Sequence, residues 1–374
     1  MLRSGQQKID YLFIGLAILI VGLGILLLSS ASSVVSFQKF GSSYYYVHRQ
    51  LIYGLLPGLM IFFVLSRFDY HRLVKWSVPA LLVTLLALVA VLIPQLGVGY
   101  GGASRWLDLK LFSFQPSEIT KLTFLIYLVY WFEQKGFDEI RTWKGGIMPF
   151  IILLSIVMVL LMLQPDMGTM IVIAVSAVII YFLAGARWST IIGFILAGSG
   201  LMYLLVKIAP YRLNRLTVFL NPEYDSQGIG YHINQALLAV GSGGFWGLGL
   251  GHSRQKYQYL PEVTGDSIFA VIAEELGFLL TSILIVLFAA LIWRGIKIAV
   301  RAPDTLGRLL GLSIMVWLGL QFFVNIAAML NLLPLTGIPL PFISHGGTAL
   351  AMALGGLGIM VNISRQARAV ETRR

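Results

Sequence analysis

The chain has 374 residues, of which 58% are hydrophobic and 11% are charged, and its formal net charge is +11. A soluble domain carries about 25% charged residues, so the composition excludes a water-soluble globular protein and predicts an integral membrane protein. The positive charge does not indicate nucleic-acid binding, because Lys and Arg are concentrated in short segments between apolar runs, where they orient a membrane protein and meet anionic lipids. The chain has no cysteine, which excludes disulfides, a thiolate nucleophile and Cys-ligated metals.

Apolar runs of about 20 residues recur along the chain, and a helix of that length crosses the ~30 Å hydrocarbon core of a bilayer. A transmembrane β-barrel would instead show short segments of alternating hydrophobicity. The pattern predicts an all-α, polytopic membrane protein with one transmembrane domain and one large loop, residues 208–266. The ten predicted spans are residues 11–31, 51–66, 76–95, 117–133, 147–164, 168–185, 188–207, 267–293, 309–332 and 346–363.

An even number of spans places both termini on the same side of the membrane. If that side is the cytoplasm, the predicted cytoplasmic segments hold 17 Lys and Arg residues, against five in the short segments on the opposite side. Such an excess marks the cytoplasmic side, and the long loop is left out because long loops cross the membrane largely regardless of charge. The sequence therefore predicts cytoplasmic termini and an extracytoplasmic loop 208–266. Within that loop, residues 231–240 have helical apolar spacing but are too short to span, which favours a re-entrant or interfacial helix.

The polar stretch richest in reactive groups is residues 241–278. Six glycines between positions 241 and 251 are followed by Arg254 and Lys256, and Asp266 then opens an apolar segment. Glycines let the backbone approach a ligand closely. An Asp at a helix start is also the ordinary N-cap, which accepts from the first N–H groups of the helix. The residues alone leave both readings of Asp266 open.

Two further charged pairs are candidates for either structure or chemistry. Glu118 and Lys121 share one helical face at a span entrance, so they form either an anchoring ion pair or part of a polar cavity. Glu274 and Glu275 lie about 12–13.5 Å into the span that Asp266 opens, at 1.5 Å per residue. We expect one of them to be buried against a basic partner, Lys121 or an arginine.

Other polar groups lie at predicted span ends on the same outer face. Arg105, beside a tryptophan, is either an interfacial anchor or a phosphate ligand. Asp166, in the hairpin that contains Gln164 and Pro165, is expected to satisfy N–H groups at the start of the next span. The five histidines show no metal-ligand spacing, and no GxxxxGK[ST] phosphate loop is present, so neither a zinc site nor ATP hydrolysis is supported.

One combination of groups suits group transfer at a membrane surface. A carboxylate can take a proton from an attacking hydroxyl while nearby cations stabilise a departing pyrophosphate. The membrane location implies that the pyrophosphate is lipid-linked. The carboxylate is Asp266, and the candidate cations are Arg105, Lys121, Arg212, Arg215, Arg254 and Lys256.

Several long stretches closely resemble the SEDS family (shape, elongation, division and sporulation), the FtsW and RodA proteins of bacterial cell-wall synthesis. They are RWLDLKLFSFQPSEITKL at 105–122, QPDMGT at 164–169, NPEYDSQGIGYHINQALLAVGSGGFWGLGLG at 221–251, SRQKYQYLPE at 253–262, DSIFAVIAEELGF at 266–278 and PLPFISHGGTALAM at 339–352. Together they extend over nearly the whole chain. The sequence of residues 253–262 resembles the FtsW (cell-division) branch more than the RodA branch.

The resemblance implies a peptidoglycan glycosyltransferase that polymerises lipid II at the outer face of the cytoplasmic membrane. The essential acid of the family falls on Asp266, and its paired charges fall on Glu118 and Lys121. The matching motifs add a supporting set of Gln164, Pro165, Asp166, Glu262, Ser344, His345 and Gly346. The chain departs from the family pattern in two places: Thr264-Gly265-Asp266-Ser267 stands where His-Thr-Asp-Phe is usual, and His345 stands where Tyr is usual.

In the resulting hypothesis Asp266 is the general base. Lipid II and the nascent glycan strand are the substrates, and the anomeric configuration is inverted in a single displacement. No cofactor is certain, and a divalent cation such as Mg²⁺ or Mn²⁺ is a candidate. The resemblance implies a class B penicillin-binding protein transpeptidase, other divisome proteins and membrane lipids as partners, with a location at the division septum. The rival classes are a lipid II flippase, which would need polar residues through the midplane, and a scaffold for division proteins, which would tolerate loss of Asp266.

Overall fold

The computed structural model of the protein describes residues 9–100, 103–110, 112–208, 210–221, 224, 228–257 and 259–371. Each of the ten predicted spans falls on a helix, which confirms the polytopic all-α architecture. Six helical segments are long and apolar enough to cross a bilayer: Tyr11–Phe40, Tyr45–Arg67, Trp143–Leu163, Ile268–Val300, Thr305–Met329 and Gly347–Gln366. The remaining predicted spans fall on the helices Ser77–Val91, Met167–Leu183 and Trp188–Ile208, and on the more polar helix Pro116–Ile140.

The α-helices are numbered in chain order. They are α1 (Tyr11–Phe40), α2 (Tyr45–Gln50), α3 (Leu56–Arg67), α4 (Tyr70–Lys75), α5 (Ser77–Val91), α6 (Pro116–Ile140), α7 (Met148–Leu163), α8 (Met167–Leu183), α9 (Trp188–Ile208), α10 (Pro210–Leu220), α11 (Ile229–Ser242), α12 (Ile268–Val300), α13 (Thr305–Met329) and α14 (Gly347–Glu371). A π-helical turn, Leu51–Leu55, joins α2 to α3, and another, Trp143–Ile147, precedes α7.

The helices α13 and α14 form the centre of the bundle. In an apolar stretch of 18 residues within each helix, 67% of the residues of α13 and 83% of those of α14 are buried. The corresponding share is 22% in the segment that contains α3. Small residues allow α14 to approach α3 closely: a Cβ on Gly358 would lie 2.7 Å from the carbonyl oxygen of Phe62. Close backbone approach at small residues is the usual way that helices associate in a membrane, where lipid is as apolar as the side chains.

A small sheet, which the sequence did not predict, lies between the spans predicted at 76–95 and 117–133. Strands β1 (Gly97–Tyr100), β2 (Ala103–Asp108) and β3 (Ser113–Phe114) pair antiparallel in the order β1-β2-β3. Val98 lies opposite Trp106, and Leu107 lies opposite Phe114. The segment is too short and too rich in glycine to show strand periodicity, so hydropathy alone could not distinguish it from a loop.

The span predicted at 267–293 contains a break, which its apolar pattern did not predict. Gly277 in α12 has φ 70 and ψ −176, which is not helical. The glycine-rich loop enters this break, where the N–H of Phe278 donates to the carbonyl of Gly244 at 2.9 Å and that of Leu248 donates to the carbonyl of Glu274 at 3.0 Å. A Cβ on Gly277 would lie 2.1 Å from the nitrogen of Gly247, so only glycine fits. Glu274 and Glu275 therefore precede a helix break instead of lying deep in one continuous span.

Two helices lie inside the loop 208–266. The predicted helix at 231–240 is observed as α11, and α10 precedes it. Helix α11 packs against α12, and α10 packs against α9 and α11. Together they bring side chains of the loop to the residue that opens the span.

Candidate active site

Asp266 lies directly before α12 and does not cap it. The N-cap position belongs to Ser267, whose side chain makes no capping hydrogen bond within the described chain. The Oδ1 atom of Asp266 is buried and has no hydrogen-bond partner among the described residues. Its Oδ2 atom lies 3.8 Å from the place that a Cβ would take on Gly337. A buried carboxylate oxygen without a partner is costly, and such groups are characteristic of functional sites.

The pKa of Asp266 is raised to about 6, because burial disfavours the charged carboxylate. Hydrogen bonds from the local backbone, the positive charge of Arg215 and the hydroxyl of Ser267 act in the opposite direction. At neutral pH the carboxyl group is therefore mostly ionised while its pKa remains close to the working pH. That is the state in which a carboxylate accepts a proton most effectively.

A second carboxylate lies beside it. The Oε2 atom of Glu262 would be 3.4 Å from a Cβ on Gly265, so this side chain lies over the glycine next to Asp266. The pKa of Glu262 is raised by partial burial and then by the negative charge of Asp266, while the charges of Lys39 and His232 lower it. Two neighbouring carboxylates resist ionising together, and this favours binding of a cation or a cationic group between them.

The loop helices α10 and α11 supply the next two groups. Arg215 of α10 donates through Nη1 to the carbonyl of Leu335 at 2.9 Å, and its charge acts on both Asp266 and His232. The Nε2 atom of His232 lies 2.5 Å from Oγ of Ser267. Burial, reinforced by Arg215 and opposed by Glu262, lowers the pKa of His232 to about 4, so this imidazole is neutral at pH 7.

The segment that precedes α14 packs directly on residues 262–267, here called the acid loop. The N–H of His345 donates to the carbonyl of Thr264 at 2.8 Å, and the hydroxyl of Ser344 donates to that of Gly265 at 2.6 Å. The N–H of Gly346 donates to Gln50 Oε1 at 2.9 Å. Burial and the charge of Arg49 lower the pKa of His345 to about 4.

Glu118 and Lys121 form a buried network away from solvent. Lys121 Nζ lies 2.7 Å from Glu118 Oε1 and 2.8 Å from Gln321 Oε1, and its side chain is 1% exposed. Gln321 then donates to the carbonyl of Pro339 at 3.0 Å, which connects the network to the segment that holds the acid loop. The predicted substrate-binding role of Glu118 and Lys121 stays a prediction, and the contacts observed are all within the protein.

The outer hairpin forms another network. Arg105 of β2 donates to the carbonyls of Gln164, at 3.3 Å, and of Pro165. Asp166 accepts from the N–H of Thr169 at 3.3 Å, which confirms its predicted role at the start of α8. Asp166 also accepts from the hydroxyl of Ser117 at 3.0 Å. These bonds tie the small sheet and α6 to the hairpin.

The expected buried pair of a glutamate and a base is present, but with a different partner. Lys256 Nζ lies 2.8 Å from Glu275 Oε1 and 2.6 Å from the carbonyl of Gly251, and both side chains of the pair are at most 2% exposed. The expectation of Lys121 or an arginine was wrong, because Lys121 is bound by Glu118 and the loop folds Lys256 back onto the start of α12. Glu274 accepts from the backbone N–H of Arg254 at 3.0 Å.

The structure thus brings together Asp266, Glu262, Arg215, Ser344 and His345. Three other networks hold the remaining charged residues. One contains Glu118 and Lys121, another joins Arg105 to the hairpin, and the third joins Lys256 to Glu275. Arg254 is exposed. Arg212 lies in α10, and its side chain is outside the described residues.

Several residues that act on Asp266 or on its neighbours Glu262, Ser267 and His345 were not singled out from the sequence. They are Lys39 at the end of α1, Arg49 of α2, His232 of α11 and Asn325 of α13. Each is distant in sequence from Asp266, and only the packing of four different helices reveals the neighbourhood. Among the described residues, no group of three or more His, Asp or Glu side chains could hold a metal ion.

The fold and this site define a polytopic helical membrane protein with a half-buried carboxylate of raised pKa, next to basic groups at one end of its bundle. The family model of the FtsW, RodA and SpoVE cell cycle proteins matches residues 10–369, and the chain belongs to this family.

Known relatives extend over almost the entire chain. A probable peptidoglycan glycosyltransferase FtsW of Trichlorobacter lovleyi is 41% identical over 95% of this chain and 93% of its own length. Stage V sporulation protein E of Bacillus subtilis is 37% identical over 96% of this chain and 98% of its own. A solved chain from a peptidoglycan synthase complex that coordinates polymerization and crosslinking has a TM-score of 0.80 and 28% identity, and covers 96% of this chain and 98% of that one.

Proposed function

We propose that the protein is a peptidoglycan glycosyltransferase of the FtsW type, which polymerises lipid II into glycan strands. The observation that carries the proposal is the carboxylate of Asp266, which does not cap its helix, has one buried oxygen without a protein partner and has a pKa of about 6. Relatives that match nearly the whole chain carry the name of this activity.

In the proposed reaction the growing glycan, attached to undecaprenyl pyrophosphate, is the donor. The 4-hydroxyl of the GlcNAc of lipid II attacks the anomeric carbon of the donor, and Asp266 takes the hydroxyl proton. The bond between that carbon and the pyrophosphate breaks, and undecaprenyl pyrophosphate leaves with the bonding electrons. An α-linked donor and a β-1,4 product require inversion, so a single displacement without a covalent intermediate suffices.

Cations near the acid would stabilise the departing pyrophosphate. Arg215 is the candidate whose charge acts directly on Asp266, and Lys39 acts on the neighbouring Glu262. Arg212, on the same helix as Arg215, and the exposed Arg254 are further candidates. Of the remaining predicted ligands, Lys121 and Lys256 already bind buried glutamates, so they would support the site from within the fold.

A divalent cation remains part of the proposal. Glu262 and Asp266 offer two carboxylates, and pyrophosphate oxygens would complete the oxygen coordination that Mg²⁺ and Mn²⁺ accept. The cation would supply additional charge stabilisation of the leaving group.

We propose a bacterial cytoplasmic membrane as the location, with both termini cytoplasmic, the loop 208–266 outside and enrichment at the division septum. A class B penicillin-binding protein transpeptidase is the proposed partner, together with other divisome proteins. The similarity to a chain from a complex that coordinates polymerization and crosslinking supports such a pairing. Membrane lipids surround the spans, and no nucleic-acid partner is proposed.

The rival function, a lipid II flippase, would use polar groups between the spans. Gln321 and Asn325 instead donate to backbone carbonyls of the segment before α14, and Glu274 and Glu275 bind the glycine-rich loop. The polar groups of these helices are therefore engaged in holding the outer site, which favours the enzyme.

The test measures polymerisation of lipid II by the purified protein in detergent, with the proposed partner transpeptidase present and absent. Detergent contains no bilayer across which a flippase could move lipid II. We expect glycan strands from the wild type and none from Asp266→Asn, with Asp138→Asn, an exposed acid in α6, as the control. Normal polymerisation by Asp266→Asn would refute the assigned role. A wild type that moves lipid II across vesicles without making strands would favour the flippase.

A further inference from the structure

Three consecutive carbonyl groups of the acid loop are each held by a donor from elsewhere in the chain. The carbonyl of Thr264 accepts from the N–H of His345 at 2.8 Å, and that of Gly265 accepts from Ser344 Oγ at 2.6 Å. The carbonyl of Asp266 accepts from Asn325 Nδ2 at 2.8 Å. The backbone on the N-terminal side of the carboxylate is thus attached at every residue to α13 or to the segment before α14.

Asn325 is the side chain that connects these parts. Its Nδ2 atom also donates to the carbonyl of Ile338 at 2.7 Å, so both hydrogens of one amide group are used. Asn325 is 1% exposed, and Gln321, one turn earlier on α13, donates to the carbonyl of the next residue, Pro339. One face of α13 therefore holds the acid loop and the segment 338–346 against each other.

The position of the carboxylate depends on this attachment. The loop turns tightly, since the carbonyl of Glu262 accepts from the N–H groups of both Gly265, at 2.9 Å, and Ser267, at 3.3 Å. The carboxylate then lies over Gly337, which has φ +69. A rotation of the peptide group that carries the Asp266 carbonyl changes the backbone conformation of Asp266, and it would therefore move the carboxylate relative to Gly337.

We propose that Asn325 is a positioning residue for the reaction: by bridging the carbonyls of Asp266 and Ile338, it fixes the direction in which the Asp266 carboxylate meets the acceptor hydroxyl. This inference rests on the proposed glycosyltransferase function. Asn325 is not proposed to touch substrate, since both hydrogens of its amide group bind backbone carbonyls. It acts through the backbone of the general base, whose efficiency depends on placement within a fraction of an ångström.

The matched control is Asn362 of α14. It is 5% exposed and also bridges backbone groups of a different part of the chain, accepting from the N–H of Tyr70 at 3.3 Å and donating to the carbonyl of Ser66 at 3.2 Å. Replacing either asparagine by leucine removes the same buried amide. The two variants therefore lose the same kind of buried hydrogen bonds, and they differ in their distance from Asp266.

The first experiment compares steady-state polymerisation of lipid II by wild type, Asn325→Leu and Asn362→Leu. We expect Asn325→Leu to lower kcat by about 100-fold with little change in KM, since a misplacement of about 1 Å costs that much. Asn362→Leu is expected to retain kcat within a fewfold of wild type. Equal kcat values for the two variants would overturn the proposal.

The second experiment remains informative if Asn325→Leu does not fold. Asn325→Asp preserves shape but replaces the amide nitrogen, which donates to the carbonyls of Asp266 and Ile338, by a carboxyl oxygen with at most one hydrogen. The bridge is therefore lost, and kcat should fall by about tenfold or more with little change in KM, whereas Asn362→Asp should retain kcat within a fewfold of wild type. Equal kcat values for Asn325→Asp and Asn362→Asp would contradict the proposal.

The two levels of hypothesis fail differently. If wild type makes no strands, or if Asp266→Asn makes them, the glycosyltransferase assignment or the role of the acid is wrong. If both of those controls behave as expected and Asn325 variants match their Asn362 counterparts, only the positioning role is wrong.

Discussion

Two aspartates that open helices show how a residue of one type acquires two different roles. Asp166 accepts from the N–H of Thr169 and the hydroxyl of Ser117, so its charge is satisfied within the protein. Asp266 is half-buried, its Oδ1 has no partner within the described chain, and its pKa rises to about 6. The second arrangement is costly for stability, and it is the one expected of a group that must exchange a proton.

At this scale we predict an acid limb in the pH dependence of kcat/KM near pH 6. The base must be ionised, and because its pKa is raised, protonation removes activity as the pH falls through that value, by about tenfold per pH unit below it. Arg215→Gln removes a cation that lowers the pKa of Asp266, so the limb should move to higher pH. The measurement is polymerisation rate from pH 5 to 8.

Lys144→Gln, an exposed residue between α6 and α7, is the matched loss of charge, and it should leave the limb where it is in wild type. A flat profile through pH 6 in wild type would be incompatible with Asp266 as the base.

At the scale of elements, the glycine-rich loop and the start of α12 form one unit. Gly244, Gly247 and Gly277 permit the close backbone approach at the helix break. Glu274 and Glu275 then collect donors from the loop, including Ser253 Oγ at 2.5 Å and Lys256 Nζ at 2.8 Å. The buried charges therefore fix where the loop lies relative to the helix that Asp266 precedes.

We predict that Lys256→Met destabilises the protein by about 3–5 kcal/mol, because it leaves the carboxylate of Glu275 buried without its cation. The double variant Lys256→Met/Glu275→Gln should recover most of the loss, since both charges are removed. Thermal unfolding in detergent measures both effects. If Lys256 instead acts chiefly as a ligand of the leaving group, Lys256→Met will show wild-type stability with lost activity, and the second substitution will restore nothing.

For the whole molecule, helices from distant parts of the chain meet at one end of the bundle. Charged or polar groups that act on Asp266 or on its neighbours Glu262, Ser267 and His345 come from α1, α2, α10, α11, α13 and the segment before α14. The proposed orientation puts this end outside the cytoplasm, where a lipid-linked substrate and a transpeptidase would both have access to it.

The orientation predicts which positions a membrane-impermeant maleimide can reach in intact cells. The chain has no cysteine, so any labelling of a single-cysteine variant comes from the introduced residue. Tyr257→Cys, at an exposed position of the loop 208–266, should be labelled from outside, and Lys144→Cys only after permeabilisation. The opposite labelling pattern would place the acid on the cytosolic face and exclude the proposed reaction.

Much of the architecture and part of the site could be predicted from the sequence. The helices at the ten predicted spans, the helix at 231–240 and the capping role of Asp166 follow from local hydropathy, periodicity and turn chemistry. The family motifs point to Asp266 as the candidate acid, and that role stays a prediction. The break at Gly277 could not be predicted, because an apolar run with one glycine has the same hydropathy whether or not a loop enters it.

The sequence by itself determined that this is a polytopic membrane protein and which carboxylate to consider, since both depend on residues close together in the chain. Only the tertiary structure decided the partners of each charge. Lys256 and Lys121 proved to bind buried glutamates, whereas Arg215, Lys39, His232 and Asn325 surround the acid loop. The physical reason is that burial, hydrogen bonding and the pKa of Asp266 arise from contacts between helices far apart in sequence, and no local pattern encodes which helices will meet.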